Sequence, residues 1–171
     1  MTSGTPVTGR VVRLADDVNT DLVLAGEYLN ITDPDALAAH LLERFEPPVA
    51  DRIGPGTILL AGRAFGGGSS REQAVLALVA RGVEALVAAS FARIFFRNAV
   101  NLGLPAVECP DAWRDVADGD ELTIDLASGT LTRSDGTVWS FPAPSPFVAD
   151  LLAVGGLEEW TRRRLATAGP T

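Results

Sequence analysis

The fold of this chain is decided by the stretch Ile58-Leu59-Leu60-Ala61-Gly62-Arg63-Ala64-Phe65-Gly66-Gly67-Gly68-Ser69-Ser70-Arg71-Glu72-Gln73-Ala74. Its apolar start predicts a short buried strand, and the apolar residues 74–80 predict a helix that ends at Gly82. Glycines and serines therefore occupy a strand-to-helix turn. Glycine lets a ligand approach the backbone closely, and a helix start offers unpaired N–H groups and partial positive charge to an anion. Arg71, in the first predicted helical turn, adds a forked cationic donor that matches a carboxylate or a phosphate.

The same residues also fit a purely structural role. Ser69 at the N-cap and Glu72 at the third helical position would form a capping box. The spacing leaves a capped glycine turn and an anion site both open. It does not fit a phosphate-binding P-loop, because no lysine follows the glycines. A dinucleotide-binding fingerprint also fits poorly, because no strand–glycine–helix unit opens the chain.

Length and charge narrow the class of protein. The 171 residues are 47% apolar, so we expect one domain over 1–171 with an ordered part at about 7–165. The net charge of −8 argues against a nucleic-acid surface and against docking on anionic membranes. No apolar run approaches the about 20 residues that span a bilayer. Residues 1–8 lack the regions of a signal peptide, so we expect a cytoplasmic protein.

Side chains that bind metals are scarce. Cys109 is the one cysteine, so the chain cannot form an internal disulfide or build a metal–thiolate cage by itself. His40 is the one histidine, which argues against a histidine-based triad and against a multi-histidine metal site. We therefore expect no metal ligand in this chain.

Hydrophobic periodicity predicts an α/β core followed by a meander. We predict strands at 7–14, 57–61, 84–90, 105–108, 121–126, 130–133 and 137–141. We predict helices at 74–80, 91–103, 146–153 and 157–165, with a frayed tail beyond. The strand–helix alternation between 57 and 108 favours parallel pairing, and the last three strands favour antiparallel pairing.

Two further segments carry local signals. Thr32-Asp33-Pro34-Asp35 is typical of a helix start. One buried stripe is predicted after it at Leu37, Ala38, Leu41, Leu42 and Phe45. His40 lies opposite this stripe and is expected at the surface. The polar segment 15–21 holds three carboxylates and is interpreted as a solvated loop with Asx turns.

Five segments in one order carry a family resemblance. They are Asn19-Thr20-Asp21, Glu27-Tyr28-Leu29, the run from Phe65 to Glu72, Ser90-Phe-Ala-Arg-Ile-Phe-Phe-Arg-Asn98 and Asn101-Leu-Gly-Leu-Pro105. Together they resemble the small subunits of 3-isopropylmalate dehydratase, the swivel domain of the aconitase superfamily, from about Gly9 to Leu165. The resemblance implies an aconitase-swivel-like β/β/α domain of the α/β class, with a mixed, barrel-like sheet and flanking helices.

The resemblance also implies a reaction and a partner. The reaction is the isomerisation of 2-isopropylmalate to 3-isopropylmalate by dehydration and rehydration, in leucine biosynthesis. The hydro-lyase would be active only with a large subunit, in a heterodimer or heterotetramer. That subunit would carry a 4Fe–4S cluster held by three cysteines, whose open iron acts as a Lewis acid on the hydroxy-dicarboxylate substrate. No cofactor is implied in this chain.

The resemblance assigns roles to residues of the central turn. Ser69, as an alkoxide, would be the base that removes a proton next to a carboxylate. Arg71 would bind a substrate carboxylate, with Ser70 and Gly68 beside it. The family usually has Cys at the position of Gly67 and often His at that of Gln73.

The substrate-specificity loop of the family corresponds to Glu27, Tyr28, Leu29 and Asn30. Val23-Leu24-Ala25 stands before it where the family has Ile-Ile-Pro, so a sister hydro-lyase acting on homoaconitate, methylcitrate or dimethylmalate stays open. A non-catalytic anion-binding or assembly module also stays open. Asp21 and Arg93 are each expected in a buried ion pair or a loop anchor.

Overall fold

Within residues 5–167, which a computed structural model describes, seven strands form one mixed sheet. The strands are β1 (Val7–Arg13), β2 (Thr57–Ala61), β3 (Val83–Ala88), β4 (Ala106–Glu108), β5 (Glu121–Asp125), β6 (Thr130–Arg133) and β7 (Val138–Ser140). Their order in the sheet is β4-β3-β2-β1-β5-β6-β7. The first four strands are parallel and the last three pair antiparallel. The predicted parallel core and meander are confirmed.

Helices flank this curled sheet. They are α1 (Thr20–Val23), α2 (Pro34–Ala38), α3 (Glu72–Ala80), α4 (Arg93–Asn101), α5 (Pro110–Asp115), α6 (Pro146–Val154) and α7 (Leu157–Thr167), with short 3-10 turns at Gly26–Tyr28 and Ala50–Arg52. The expected mixed sheet with flanking helices is confirmed. The predicted frayed tail falls partly on α7, which continues to Thr167, and partly outside the described residues. Among residues 5–167, every helix is too short or too polar to cross a bilayer.

Strand β2 is central because both of its faces are covered. All five of its residues are buried. Leu59 and Ala61 pack with α2, α3 and α4, whereas Ile58 and Leu60 pack with α5 and the meander. A continuous apolar run, rather than an alternating one, is what such a doubly covered strand requires.

Three local predictions differ from the structure. The helix after Asp33 is regular only to Ala38, because the amide of Leu42 donates to the carbonyl of Val23 at 2.9 Å instead of continuing the helix. The predicted apolar stripe is nevertheless buried. Part of the expected polar loop forms helix α1, capped by the side chain of Asn19. Helix α5 was not predicted.

The parallel strands place four loops at one edge of the sheet. Their carboxyl ends lead into residues 14–19, the glycine-rich loop (62–71), residues 89–92 and Cys109. Ligand sites in open α/β sheets lie at this edge. The predicted site residues of the central turn therefore stand where the topology favours a site.

Candidate active site

The glycine-rich loop is tied on one side to the segment after β1. The amide of Gly66 donates to the carbonyl of Val18 at 2.8 Å, and the amide of Thr20 donates to the carbonyl of Gly67 at 2.9 Å. Thr20 is 1% exposed, and its hydroxyl donates to the carbonyl of Ser69 at 3.0 Å. These bonds hold the loop away from helical geometry up to Arg71.

On its other side the loop is tied to the segment before α4. The amide of Phe65 donates to the carbonyl of Ser90 at 3.0 Å, and the amide of Ala92 donates to the carbonyl of Phe65 at 2.9 Å. Gly66 has a φ of +79°, and a Cβ there would overlap the ring of Phe95. Glycine is therefore required at this position.

Arg71 crosses from the glycine-rich loop to the end of α1. Its Nη1 donates to the carboxylate of Asp21 and to the carbonyl of Leu24, at 3.2 Å for the latter. The Arg71 side chain is 13% exposed. Within the described residues, its Nη2 and Nε donate to no acceptor. The guanidinium borders Gly26, where a Cβ would lie 3.4 Å from Nη2.

The capping-box alternative is wrong. Helix α3 begins at Glu72 with Arg71 as its N-cap, and no side chain caps it. Arg71 thus precedes the first helical turn instead of lying in it. Ser69 and Ser70 are exposed, and their hydroxyls make no hydrogen bond within residues 5–167. Gly68 beside them is exposed with a φ of +93°. The sequence allowed Ser69 either to cap the helix or to take part in a binding site, and the structure excludes the capping role.

Tyr28 anchors the predicted specificity loop to the residues after α2. Its ring stacks on that of His40, with centroids 3.7 Å apart and planes at 9°. The Nδ1 of His40 lies 3.0 Å from the Glu43 carboxylate. Interaction with Glu43, together with burial and with Glu27, raises the pKa of Tyr28 to about 12, so the phenol stays neutral at physiological pH. His40, expected as a plain surface residue, instead supports this loop.

The other three residues of the predicted specificity loop have different surroundings. Glu27 accepts a hydrogen bond from Arg44 at 2.7 Å. Leu29 packs against the core and Asn30 is exposed. The loop therefore meets the Arg71 guanidinium through Gly26, while Glu27 and Tyr28 contact residues 40–44.

The structure adds residues that the sequence analysis did not assign to the site. Asp16 accepts from the amide of Arg63 at 2.7 Å, and the Ser90 hydroxyl accepts from the amide of Ala64 at 2.9 Å. Thr20 holds Ser69. The interpretation of 15–21 as a solvated loop with Asx turns holds for its three exposed carboxylates and for Asn19, whose side chain accepts from the amide of Leu22. It missed that the carboxylates of Asp16 and Asp21 also bond the glycine-rich loop. Parallel pairing of the strands before these loops was the signal that could have indicated this contact.

The expectations for Asp21 and Arg93 have different outcomes. Asp21 does form an ion pair, with Arg71, but its own side chain is 61% exposed. Arg93 is exposed and makes no ion pair within residues 5–167, so the expectation of a buried ion pair or loop anchor is wrong for Arg93.

Metal-binding groups do not gather at this edge. Within the described residues, no group of three or more His, Cys, Asp or Glu side chains is arranged to hold a metal ion. Cys109 is 2% exposed, and burial raises the pKa of its thiol. A buried thiol with a raised pKa is a poor nucleophile and a poor metal ligand.

Sequence comparisons with known proteins point to one family. The profile of the aconitase C-terminal domain family matches residues 51–112. The 3-isopropylmalate dehydratase small subunit of Moorella thermoacetica is 45% identical over 165 residues, which cover 95% of this chain and 98% of that protein. The small subunit of Thermodesulfovibrio yellowstonii is 42% identical over 161 residues, covering 94% and 96% respectively.

Solved structures of known proteins share the fold of this chain. The crystal structure of 3-isopropylmalate dehydratase LeuD from Methanocaldococcus jannaschii superposes with a TM-score of 0.89 and 35% identity, covering 96% of this chain and 98% of that one. Aconitase X from Thermococcus kodakaraensis shares the fold at a TM-score of 0.53 and 18% identity, covering 77% and 92%. The predicted swivel architecture and the family resemblance are confirmed. This chain belongs to the family of 3-isopropylmalate dehydratase small subunits.

Proposed function

We propose that this chain supplies the proton-transfer base and a carboxylate-binding arginine to a 3-isopropylmalate dehydratase. The enzyme would interconvert 2-isopropylmalate and 3-isopropylmalate by dehydration and rehydration, in leucine biosynthesis. One observation carries the proposal: the glycine-rich loop holds two exposed serine hydroxyls, Ser69 and Ser70, that make no hydrogen bond within residues 5–167, and an arginine, Arg71, whose Nη2 and Nε stay available. A scaffold has no need for this trio at the carboxyl edge of its sheet.

Ser69 is the proposed base. In the dehydration direction its oxygen takes the proton from the carbon next to a carboxylate, and the electron pair of that C–H bond forms the alkene as the hydroxyl departs. In the hydration direction the same proton returns. A serine hydroxyl is too weak an acid to ionise unaided at neutral pH. The amides that open α3, together with Arg71, would stabilise the anion in a site closed to water.

Arg71 is the proposed carboxylate ligand. Its Nη1 donates hydrogen bonds to Asp21 and to the carbonyl of Leu24, and these bonds fix the plane of the guanidinium. The Nη2 and Nε edge would then form two parallel hydrogen bonds to a substrate carboxylate. Ser70 and Gly68 would contact the substrate beside it. Asp21 acts through Arg71 and is a positioning residue.

The residues present do not fit an iron–sulfur cluster. The single cysteine, Cys109, is buried and has a raised pKa. We therefore assign the 4Fe–4S cluster to a large subunit, and no step of the chemistry above depends on a metal held by this chain. The assembly would be a heterodimer or heterotetramer. We also propose a cytoplasmic location, supported by the unpaired cysteine.

The loop that contains Glu27, Tyr28, Leu29 and Asn30 is the proposed reader of the substrate's alkyl group. Its support is the contact between Gly26 and the Arg71 guanidinium, which sets the distance from the carboxylate site to the loop. The Tyr28–His40 stack would hold the loop in one position.

The test is Ser69→Ala in this chain, reconstituted anaerobically with its large subunit. We expect turnover of 2-isopropylmalate, followed by the ultraviolet absorbance of the alkene, to fall roughly 10³-fold, the usual order for loss of an acid–base group. Association with the large subunit should be unchanged. Ser134→Ala, an exposed serine in the β6–β7 turn, is the matched control. Near-normal turnover in Ser69→Ala would refute the base assignment.

A further inference from the structure

A groove of about 790 Å³ runs along helix α4. Its other walls come from α6, β4 and the segment 141–145. Most of its lining is apolar, contributed by Phe96, Val100, Val107, Phe141, Val148 and Leu152. On the same helix, Ile94 is 51% exposed. An apolar groove that opens to solvent is a candidate site for binding another molecule.

Two arginines, Arg93 and Arg97, stand one turn apart on α4 and line this groove. Neither side chain makes an ion pair or hydrogen bond within residues 5–167. By contrast, carboxylates pair with Arg44, Arg52, Arg63, Arg71, Arg114, Arg133, Arg162 and Arg163. Glu108 also lines the groove, but it accepts from the amide of Phe91 at 2.9 Å and pairs with neither arginine.

The position of these two charges is unfavourable in the isolated chain. Like charges at i and i+4 repel each other on a helix. Arg93 in addition lies in the first turn, where the helix macrodipole disfavours a cation. The chain has 22 acidic residues and a net charge of −8, yet none neutralises this pair. An external anion would relieve both costs.

The groove neighbours the glycine-rich loop through Phe91. Phe91 lines it and also pairs with Phe65 of the glycine-rich loop through a parallel bridge and an edge-on ring contact of 6.0 Å. A partner that closes over Ser69 would therefore meet α4 next.

We propose that this groove, with Arg93 and Arg97, is a docking surface for the large subunit, which inserts a segment carrying carboxylates beside apolar side chains. The proposal rests on the proposed function only in requiring a large subunit. Charge complementarity decides the occupant: an acidic segment meets two unpaired cations. Repulsion between two chains of net charge −8 opposes a second copy in this place.

The experiment is the double charge reversal Arg93→Glu with Arg97→Glu, titrated against the purified large subunit of the same organism. We expect the Kd to rise roughly tenfold or more, as for charges facing each other across an interface. Turnover at saturating large subunit should be retained. The Kd of the wild type should also rise more steeply with salt concentration than the Kd of the variant. Arg114→Glu on α5, also exposed but outside the groove, is the control.

Circular dichroism checks that the double variant is folded. A single Arg97→Ala variant tests the same contact with a smaller change. An unchanged Kd, or an equal loss in Arg114→Glu, would overturn the proposal. Salt-sensitive dimers of this chain alone, abolished by the reversal, would also overturn it in favour of a second copy. Arginine-dependent association without turnover of 2-isopropylmalate would instead refute the proposed substrate and leave the docking surface standing.

Discussion

Neighbouring glycines of the central loop differ in how strictly glycine is needed. Gly66 has a positive φ, and the ring of Phe95 fills the space where a Cβ would lie. At Gly67 a Cβ would meet its nearest neighbour, the carbonyl oxygen of Ala64, at 3.4 Å, an ordinary contact. By the family resemblance, Gly67 stands at the position of a Cys.

We therefore expect Gly67→Cys to be tolerated. Its free energy of unfolding should stay within about 0.5 kcal/mol of wild type, and turnover should persist. Gly66→Ala should lose about 3 kcal/mol or more, because a left-handed backbone and an overlap with a core ring both penalise it. Urea unfolding of the two variants side by side measures the difference. Equal destabilisation of both would contradict this account of the loop.

At the scale of elements, helix α1 acts as a clamp on the glycine-rich loop. Its first residue, Thr20, binds the loop through its amide and its hydroxyl, and its second, Asp21, binds Arg71. The geometry of the candidate site thus depends on a four-residue helix that precedes it by some fifty positions.

Thr20→Val tests whether the bond from Thr20 to the loop matters for turnover more than for the stability of the fold. The substitution keeps the shape and removes the donor to Ser69, so we expect a stability loss of about 1 kcal/mol. Turnover should fall roughly tenfold to a hundredfold, because Ser69, the proposed base, loses the bond that positions its backbone. Thr57→Val is the matched control: that buried hydroxyl accepts from the amide of Gly54 at 3.0 Å, outside the site. If both variants lose turnover equally, the clamp has no specific role.

At the scale of the whole molecule, Asp118 joins three parts of the chain. Its carboxylate accepts from the amide of Arg13 at the end of β1 at 2.8 Å and from Arg52 at 2.7 Å, and it lies in the turn before β5. The hydrogen bond from Arg52, with that from Arg13, holds the pKa of Asp118 below its usual value. Its folded pKa is therefore lower than its unfolded pKa.

This sign predicts how stability depends on pH. The contribution of Asp118 is fully present above its unfolded pKa of about 3.9 and is lost as pH falls through the folded value. Asp118→Asn should lower the Tm at pH 7 and flatten the fall in Tm between about pH 5 and pH 3. Asp150→Asn, an exposed carboxylate on α6, should change neither. Thermal unfolding followed by circular dichroism at each pH provides the measurement, and an unaltered pH slope in Asp118→Asn would reject the linkage.

The sequence by itself determined the elements whose signal is local. The apolar run of β2, the stripe of Leu37 to Phe45 and the alternation of β5 each report burial within a window of a few residues, and the structure buries them as predicted. Family motifs likewise located Ser69 and Arg71 in the chain. Only the tertiary structure decided the start of α3, the free hydroxyls of the serines, the Tyr28–His40 stack and the absence of a partner for Arg93 within the described residues. The physical reason is that these features depend on hydrogen bonds, ion pairs and ring contacts between segments far apart in sequence, such as Thr20 to Ser69 and Asp21 to Arg71, which exist only once the parallel strands bring their loops to one edge.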